Sequence, residues 1–217
     1  MRPWQHAVST GRSGRPWELD LEIHEFLDMT KAACADRRHR LVLHSVDFGL
    51  AVTRLAFQDR SDVDAIVRCH VIEDLGAPVT LSEWLAGCAP DQMPRPLRRR
   101  LAVGKAGIVA LVGGRLHPAC HASIDRVYDF LTLPVQFAPD HPAAAYAVLM
   151  NSFGPALARR IFGPPRRIDH ALGQATVDWA WIAEAIVYTM IGRIPDLGEI
   201  VRACQIEPVS PPAQRMG

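Results

Sequence analysis

Three groups of histidines and charged residues in this 217-residue chain have the types and spacing for chemistry. His24, Asp28 and Lys31 stand at i, i+4 and i+7, one face of a helix. Arg40, His44 and Asp47 repeat that spacing. His70 sits beside Val63, Ile66 and Val67 in an apolar helical pattern that turns its ring inward, and Glu73 and Asp74 follow one turn later. Facing helices that present imidazole and carboxylate groups are how bundles build metal sites. This donor set suits Zn, Mn or Fe rather than a metal selected by thiolate. The candidate metal ligands are His24, Asp28, His44, His70 and Asp74, and the candidate catalytic groups are Lys31, Arg40 and Glu73. A divalent ion there would activate water, with Lys31 or Arg40 steadying an anionic substrate.

Each group also has a plainer reading. Asp20, His24, Asp28 and Lys31 suit a solvated stripe with i,i+4 pairing, and His70 suits a core histidine bonded to a carbonyl. His39 falls about 140° around the helix from His44, which reads as a surface or capping position. His6, His117, His121, His141 and His170 have no supporting spacing and receive no role.

The elements that must hold these residues read as helices. Residues 17–35 place Leu19, Ile23, Phe26, Thr30 and Cys34 at steps of three and four, and residues 38–57 do the same with Leu41, Ser45, Phe48, Val52 and Leu55. A third helix over 62–75 stops at Gly76, and a short one over 80–88 opens with Thr80 and Glu83 in a capping box. No run shows sustained β alternation, so the expected fold class is all-α. Residues 101–116, rich in glycine and apolar side chains, fit either a helix or a short β excursion.

An internal repeat organises the chain. VDFGLAVTRLAF (46–57) matches NSFGPALARRIF (151–162) at Phe48/Phe153, Gly49/Gly154, Ala51/Ala156, Arg54/Arg159 and Phe57/Phe162. Glu25-Phe26-Leu27 matches Asp129-Phe130-Leu131, and residues 76–88 line up with 192–204. The expectation is a tandem repeat of a helical unit packed as an intramolecular pseudo-dimer. Its parts are 1–92 with the polar site, a connector over 93–116, a degenerate second repeat over 117–206 and a flexible tail over 207–217. Against the first copy's His24, Asp28, Lys31, Arg40 and His44 the second places Tyr128, Thr132, Val135, Ala145 and Leu149. Against His70, Glu73 and Asp74 it places Ile186, Thr189 and Met190. A solvated face would not convert so consistently to apolar groups. The pattern reads as a polar cleft in copy one that became core in copy two.

Composition narrows the partners. Apolar residues at 49% and charged residues at 22% are those of a soluble globular domain, not a disordered or collagen-like chain. A net charge of +1 lacks the basic excess of a protein that coats nucleic acid, so the arginines of residues 95–100 read as an exposed linker. No apolar run reaches the length of a membrane span, and the first residues lack a signal peptide's apolar stretch. Cys34, Cys69, Cys88, Cys120 and Cys204 are scattered and odd in number, which reads as thiols in a reducing compartment. The expected location is cytoplasmic, as a monomer or weak oligomer.

The segments QHAVS, IHEFLDMTKA, ADRRHRLVLHS and HVIEDLGAPVTLSEWL resemble a His-rich domain of unknown function found in bacterial and phage proteins. The likeness covers about residues 3–88. By resemblance, His24, Asp28, Lys31, Arg38, His39, Arg40, His44, His70, Glu73, Asp74 and Gly76 fall on its motif positions, and at His39 this is in tension with a surface reading. The family pattern has a second histidine after the one at His44, where this chain has Ser45. The family brings no established activity.

Three functions fit the residues. The first is a divalent-metal-dependent hydrolase of phosphoester-like anionic substrates. It is analogous to the His-Asp phosphohydrolases, although His44 is followed by Ser45 and not by Asp. The second is a non-enzymatic interaction or inhibitor protein of phage or mobile-element type, with a structural polar cluster and exposed Trp4 and Trp17 for a partner. The third, a nucleic-acid binder, is the weakest on charge.

Overall fold

The computed structural model describes residues 2–11, 16–34, 39–87 and 103–203. The chain divides into two compact units, one within Met1–Gly87 and the other within Cys88–Cys204. The proline/arginine connection at 90–100, Arg38, Cys88, Cys204 and the tail over 207–217 lie outside the described residues.

The first unit runs α1 (Pro3–Gly11), α2 (Glu18–Asp28), a 3₁₀ turn (Met29–Ala32), α3 (Arg40–Leu43), α4 (Phe48–Ala56), α5 (Val63–Leu75) and α6 (Leu81–Leu85). Its core is formed by Ile23 and Leu27 of α2, Leu41 and Leu43 of α3, Phe48 and Val52 of α4, and Val67, Val71 and Leu75 of α5, all buried. The third expected helix ends at Gly76, whose φ of 77° is the left-handed cap that glycine adopts without steric cost. Thr80 and Glu83 form the capping box that opens α6.

Two expected helices are each interrupted. The helix from residue 17 tightens after Asp28 into a 3₁₀ turn, with Met29 N–H donating to Phe26 O. The helix expected over 38–57 breaks at residues 44–47. His44 leaves helical geometry at φ −96° and ψ 59°. Ser45 Oγ then accepts from Gly49 N at 2.8 Å, and Asp47 caps α4 by accepting from Phe48 N at 2.6 Å. The break needs Gly49, because a Cβ there would lie 2.1 Å from Leu43 O.

The second unit runs α7 (Gly104–Gly113), a 3₁₀ turn (Pro118–Cys120), α8 (His121–Thr132), α9 (Pro134–Phe137), α10 (Pro142–Leu149), α11 (Phe153–Phe162), strands β1 (Arg166–His170) and β2 (Gly173–Val177), α12 (Trp179–Ile191) and α13 (Leu197–Ala203). The glycine-rich stretch is therefore helical at α7. The all-α expectation is corrected by the antiparallel β1–β2 hairpin, in register from Arg166↔Val177 to His170↔Gly173. Its apolar alternation is confined to buried Ala175 and Val177, too short a pattern to stand out in the sequence. The fold is mostly helical with this one small sheet among the described residues.

Several internal details occur in both units. The 13-residue helices α5 and α12 end at glycines with φ of 77° and 85°. Phe26 meets Phe57 edge-on at 5.4 Å, and Phe130 meets Phe162 edge-on at 5.5 Å. A Cβ on Gly154 would lie 2.0 Å from Leu149 O. The second unit buries Ile186 and Met190, the residues that the sequence comparison sets against His70 and Asp74.

Candidate metal centre

Three local features of the first unit aim the side chains. Helix α2 presents His24 and Asp28 four residues apart, and α5 does the same with His70 and Asp74. The third contributor is the break after α3. Its carbonyl at His44 accepts from Trp84 Nε1 of α6 at 3.0 Å, which pins the histidine where the helix ends.

Asp28, His44, His70 and Asp74 each offer one ligand atom, and all four atoms lie within 4.8 Å of one another. The two Nε2 atoms of His44 and His70 are 2.9 Å apart. From His44 Nε2 to Asp28 Oδ1 is 3.5 Å and to Asp74 Oδ2 is 3.2 Å; from His70 Nε2 the same oxygens lie at 3.8 and 3.9 Å. Metal bonds of about 2.0–2.2 Å in a tetrahedron set ligand atoms about 3.3–3.6 Å apart, so the observed spacings bracket that of a coordinated ion. Both oxygens of Asp28 are buried without a directed hydrogen bond, as is Nδ1 of His44. Asp28 Oδ1 and Asp74 Oδ2 face the two imidazole nitrogens, a donor set that fits a cation.

Charged groups surround these four. Lys31 Nζ lies 2.5 Å from Asp28 Oδ2. Arg40 reaches Asp74 twice, with Nη2 3.1 Å from Oδ2 and Nη1 donating to the backbone oxygen at 3.0 Å. His6, brought in by α1, sets Nδ1 2.6 Å from Glu73 Oε2 and Nε2 3.3 Å from Asp74 Oδ1. Lys31 is the most exposed of this ring, with Arg40 and Glu73 partly exposed and His6 fully buried. Three carboxylates thus face three cationic partners.

The ionisation of each group follows. Burial works against the charged form of His6, but Asp74 and Glu73 outweigh it and hold its pKa above the ordinary histidine value. Burial, helped by the nearby charge of His6, lowers His24 to about 4. His70 is pushed down by burial and by the neighbouring imidazoles. Burial would raise Asp28, yet bonding to His44 and Lys31 leaves it below its usual value. Asp74 resists burial in the same way through His44 and His6 and falls well below the carboxylate range. His24 and His70 are therefore neutral at neutral pH, and the acids ionised, as metal ligation requires.

Against the sequence expectations, the structure brings Asp28, His44, His70 and Asp74 together and places His24 one layer out. There its Nδ1 sits 2.9 Å from Nδ1 of His70. Glu73 lies on His6. Two histidine readings are corrected. His6, given no role, is fully buried inside the cluster. His39, read as a surface or capping residue, is buried with its ring edge-on to His44 at 5.6 Å, where His44 has left helical geometry. Nothing in local spacing links His6 to Glu73, 67 residues away; only the segment QHAVS, quoted above for its likeness to a family, marked it.

The extent of this cluster along the chain coincides with a known family. Residues 1–93 match the model of the Domain of unknown function (DUF6915). All the residues of the centre lie inside the DUF6915 span, as the resemblance to a domain of unknown function anticipates. No curated protein and no solved structure matches the chain.

The remaining sequence expectations fall outside the centre. Trp4 and Trp17 are exposed. Cys34 and Cys120 are buried, and burial lifts the Cys69 thiol to about 11, which leaves it unreactive near neutral pH. No helix among the described residues is long and apolar enough to cross a membrane.

Proposed function

We propose that the first unit is a divalent-metal-dependent hydrolase acting on phosphoester-like anionic substrates. The observation that carries this reading is the convergence of Asp28, His44, His70 and Asp74 within 4.8 Å. The ligands are these four, and His24 supports them from behind His70. A divalent ion bound there would polarise a phosphoryl oxygen and make water a nucleophile near neutral pH. Two histidines and two carboxylates neutralise such an ion, and Glu73 offsets His6. Lys31 and Arg40 are then left as excess positive charge at the more exposed side of the cluster, which favours an anion. They are the proposed catalytic residues, whereas Glu73 acts by holding His6.

Coordination number separates the metals. Four protein ligands complete a tetrahedral Zn site and leave no place for substrate, which is the signature of a structural ion. A six-coordinate Mn or Fe keeps two positions open, so the hydrolase reading favours Mn or Fe.

A second reading has its own support. The three acid–base pairs of the cluster, Asp28–Lys31, Asp74–Arg40 and Glu73–His6, balance without any ion. In that case the cluster is a structural network of an interaction or inhibitor protein, and Trp4 and Trp17 contact the partner. Metal content, measured by plasma mass spectrometry on untagged protein purified without chelator, separates the two. Near one Mn or Fe per chain, lost in His70→Ala, supports the hydrolase and leads to a phosphoester screen. Protein free of metal, with melting unchanged by EDTA or by added Mn, Fe or Zn, rejects it.

We also propose that the two units are copies of one helical motif, with the site kept in the first and filled by core in the second. The paired glycine caps, the two edge-on phenylalanine pairs and the close approach of both Gly49 and Gly154 to a preceding backbone oxygen support this.

A further inference from the structure

We propose that His24 is a positioning residue that fixes the tautomer of His70, so that the His70 Nε2 lone pair already faces the centre before a metal arrives. The inference deepens the metal-site reading above and rests on it. The two rings meet through their Nδ1 atoms at 2.9 Å, so one of those atoms must carry the proton and the other accept it. On its other side, His70 Nε2 lies 2.9 Å from His44 Nε2 and faces Asp28 Oδ1 and Asp74 Oδ2.

Two proton arrangements satisfy this chain of three imidazoles. In one, His24 donates to His70 Nδ1, His70 donates from Nε2 to His44, and the remaining proton of His44 lies on Nδ1. That atom is buried and has no hydrogen-bond partner, so a donor would be stranded there. In the other, His70 donates from Nδ1 to His24, and His44 donates from Nε2 toward His70 and Asp74, 3.2 Å away. The second arrangement leaves an acceptor lone pair, and no N–H, without a partner at His44 Nδ1. It also leaves His70 Nε2 unprotonated and aimed at the four-atom cluster. Metal-bound histidines generally donate their second ring N–H to a fixed acceptor, and loss of that acceptor typically weakens metal binding 10- to 100-fold. Here the acceptor is another imidazole.

The test compares His24→Asn, whose side-chain oxygen can replace Nδ1 as acceptor, with His24→Leu, which cannot accept. Mn affinity of the full chain is measured by competition with a chromophoric chelator, and circular dichroism checks that both variants are folded. The proposal expects Asn within a few-fold of wild type and Leu about 10- to 100-fold weaker. Long-range ¹⁵N–¹H correlation spectra of the metal-free wild type give a second readout that does not depend on the variants folding. They should show His70 protonated at Nδ1. Leu binding as tightly as wild type, or a His70 proton on Nε2, overturns the proposal. A wild type that binds none of Mn, Fe(II) and Zn overturns the metal reading instead, and the His70 tautomer still decides the part played by His24.

Discussion

The depressed basicity of His24 makes the stability of the metal-free protein depend on pH in a calculable way. Its pKa falls from 6.5 to about 4 because folding buries the ring beside the charged His6. At pH 8 the ring is neutral in both folded and unfolded chains and contributes no difference. Below 6.5 the unfolded chain takes up a proton that the folded one refuses until about pH 4, so stability falls as the pH drops. The full shift corresponds to about 3.4 kcal/mol, of which about 2 kcal/mol is expended between pH 8 and pH 5. The carboxylates do not interfere in that window. The lowered values of Asp28, Glu73 and Asp74 give stability that is present above the unfolded carboxylate range, near 4, and lost only below it. His6 has the opposite sign, because its raised pKa gives stability that is complete below 6.5 and lost as the pH rises through the folded value. Wild type alone therefore reports a sum, and the difference from His24→Asn isolates the His24 part. Urea unfolding in EDTA at pH 8, 6.5 and 5 should show the wild type losing about 2 kcal/mol relative to His24→Asn between the extremes. Parallel curves for the two proteins would refute the assignment of a buried, neutral His24.

Asp74→Asn should remove Mn binding and cost about 3–5 kcal/mol in urea unfolding, because Arg40 and His6 lose a buried counter-charge. Gly49→Ala and Gly154→Ala should each destabilise their own unit by at least about 1–3 kcal/mol, since each new Cβ would press on a backbone oxygen. A tolerated substitution at one position and a damaging one at the other would count against the duplication. Sedimentation velocity of the full chain should show a monomer or a weak oligomer, and a tight homodimer would contradict the pseudo-dimer expectation.

Much of the centre was legible in the sequence because its spacing is local. His24 with Asp28 and His70 with Asp74 are i,i+4 pairs, and any helix puts such pairs on one face. Under the proposed duplication Ile186 and Met190 stand against His70 and Asp74, which adds that these faces turn inward. What spacing could not supply was the layer each residue occupies. His24 and His70 look equivalent along the chain, yet only His70 reaches both carboxylates, while His24 stops at His70. His39 and His44 look as though they diverge on one continuous helix. The helix is not continuous: it ends at His44, the Ser45 and Asp47 contacts follow, and both rings are buried and meet edge-on.

The sequence by itself determined most of the helical segments, the glycine cap at Gly76, the capping box at Thr80 and the residue types of the centre. All of these depend on interactions within a few residues along the chain. Only the tertiary structure decided that α1 delivers His6 to Glu73 and Asp74, that α3 ends where His44 must point, and that four donor atoms from three separate segments converge. The reason is geometric. Periodicity fixes which face a side chain occupies, but the ångström distances between donors depend on how α2, α5 and the break after α3 pack against one another. That packing is set by the buried side chains of the whole unit.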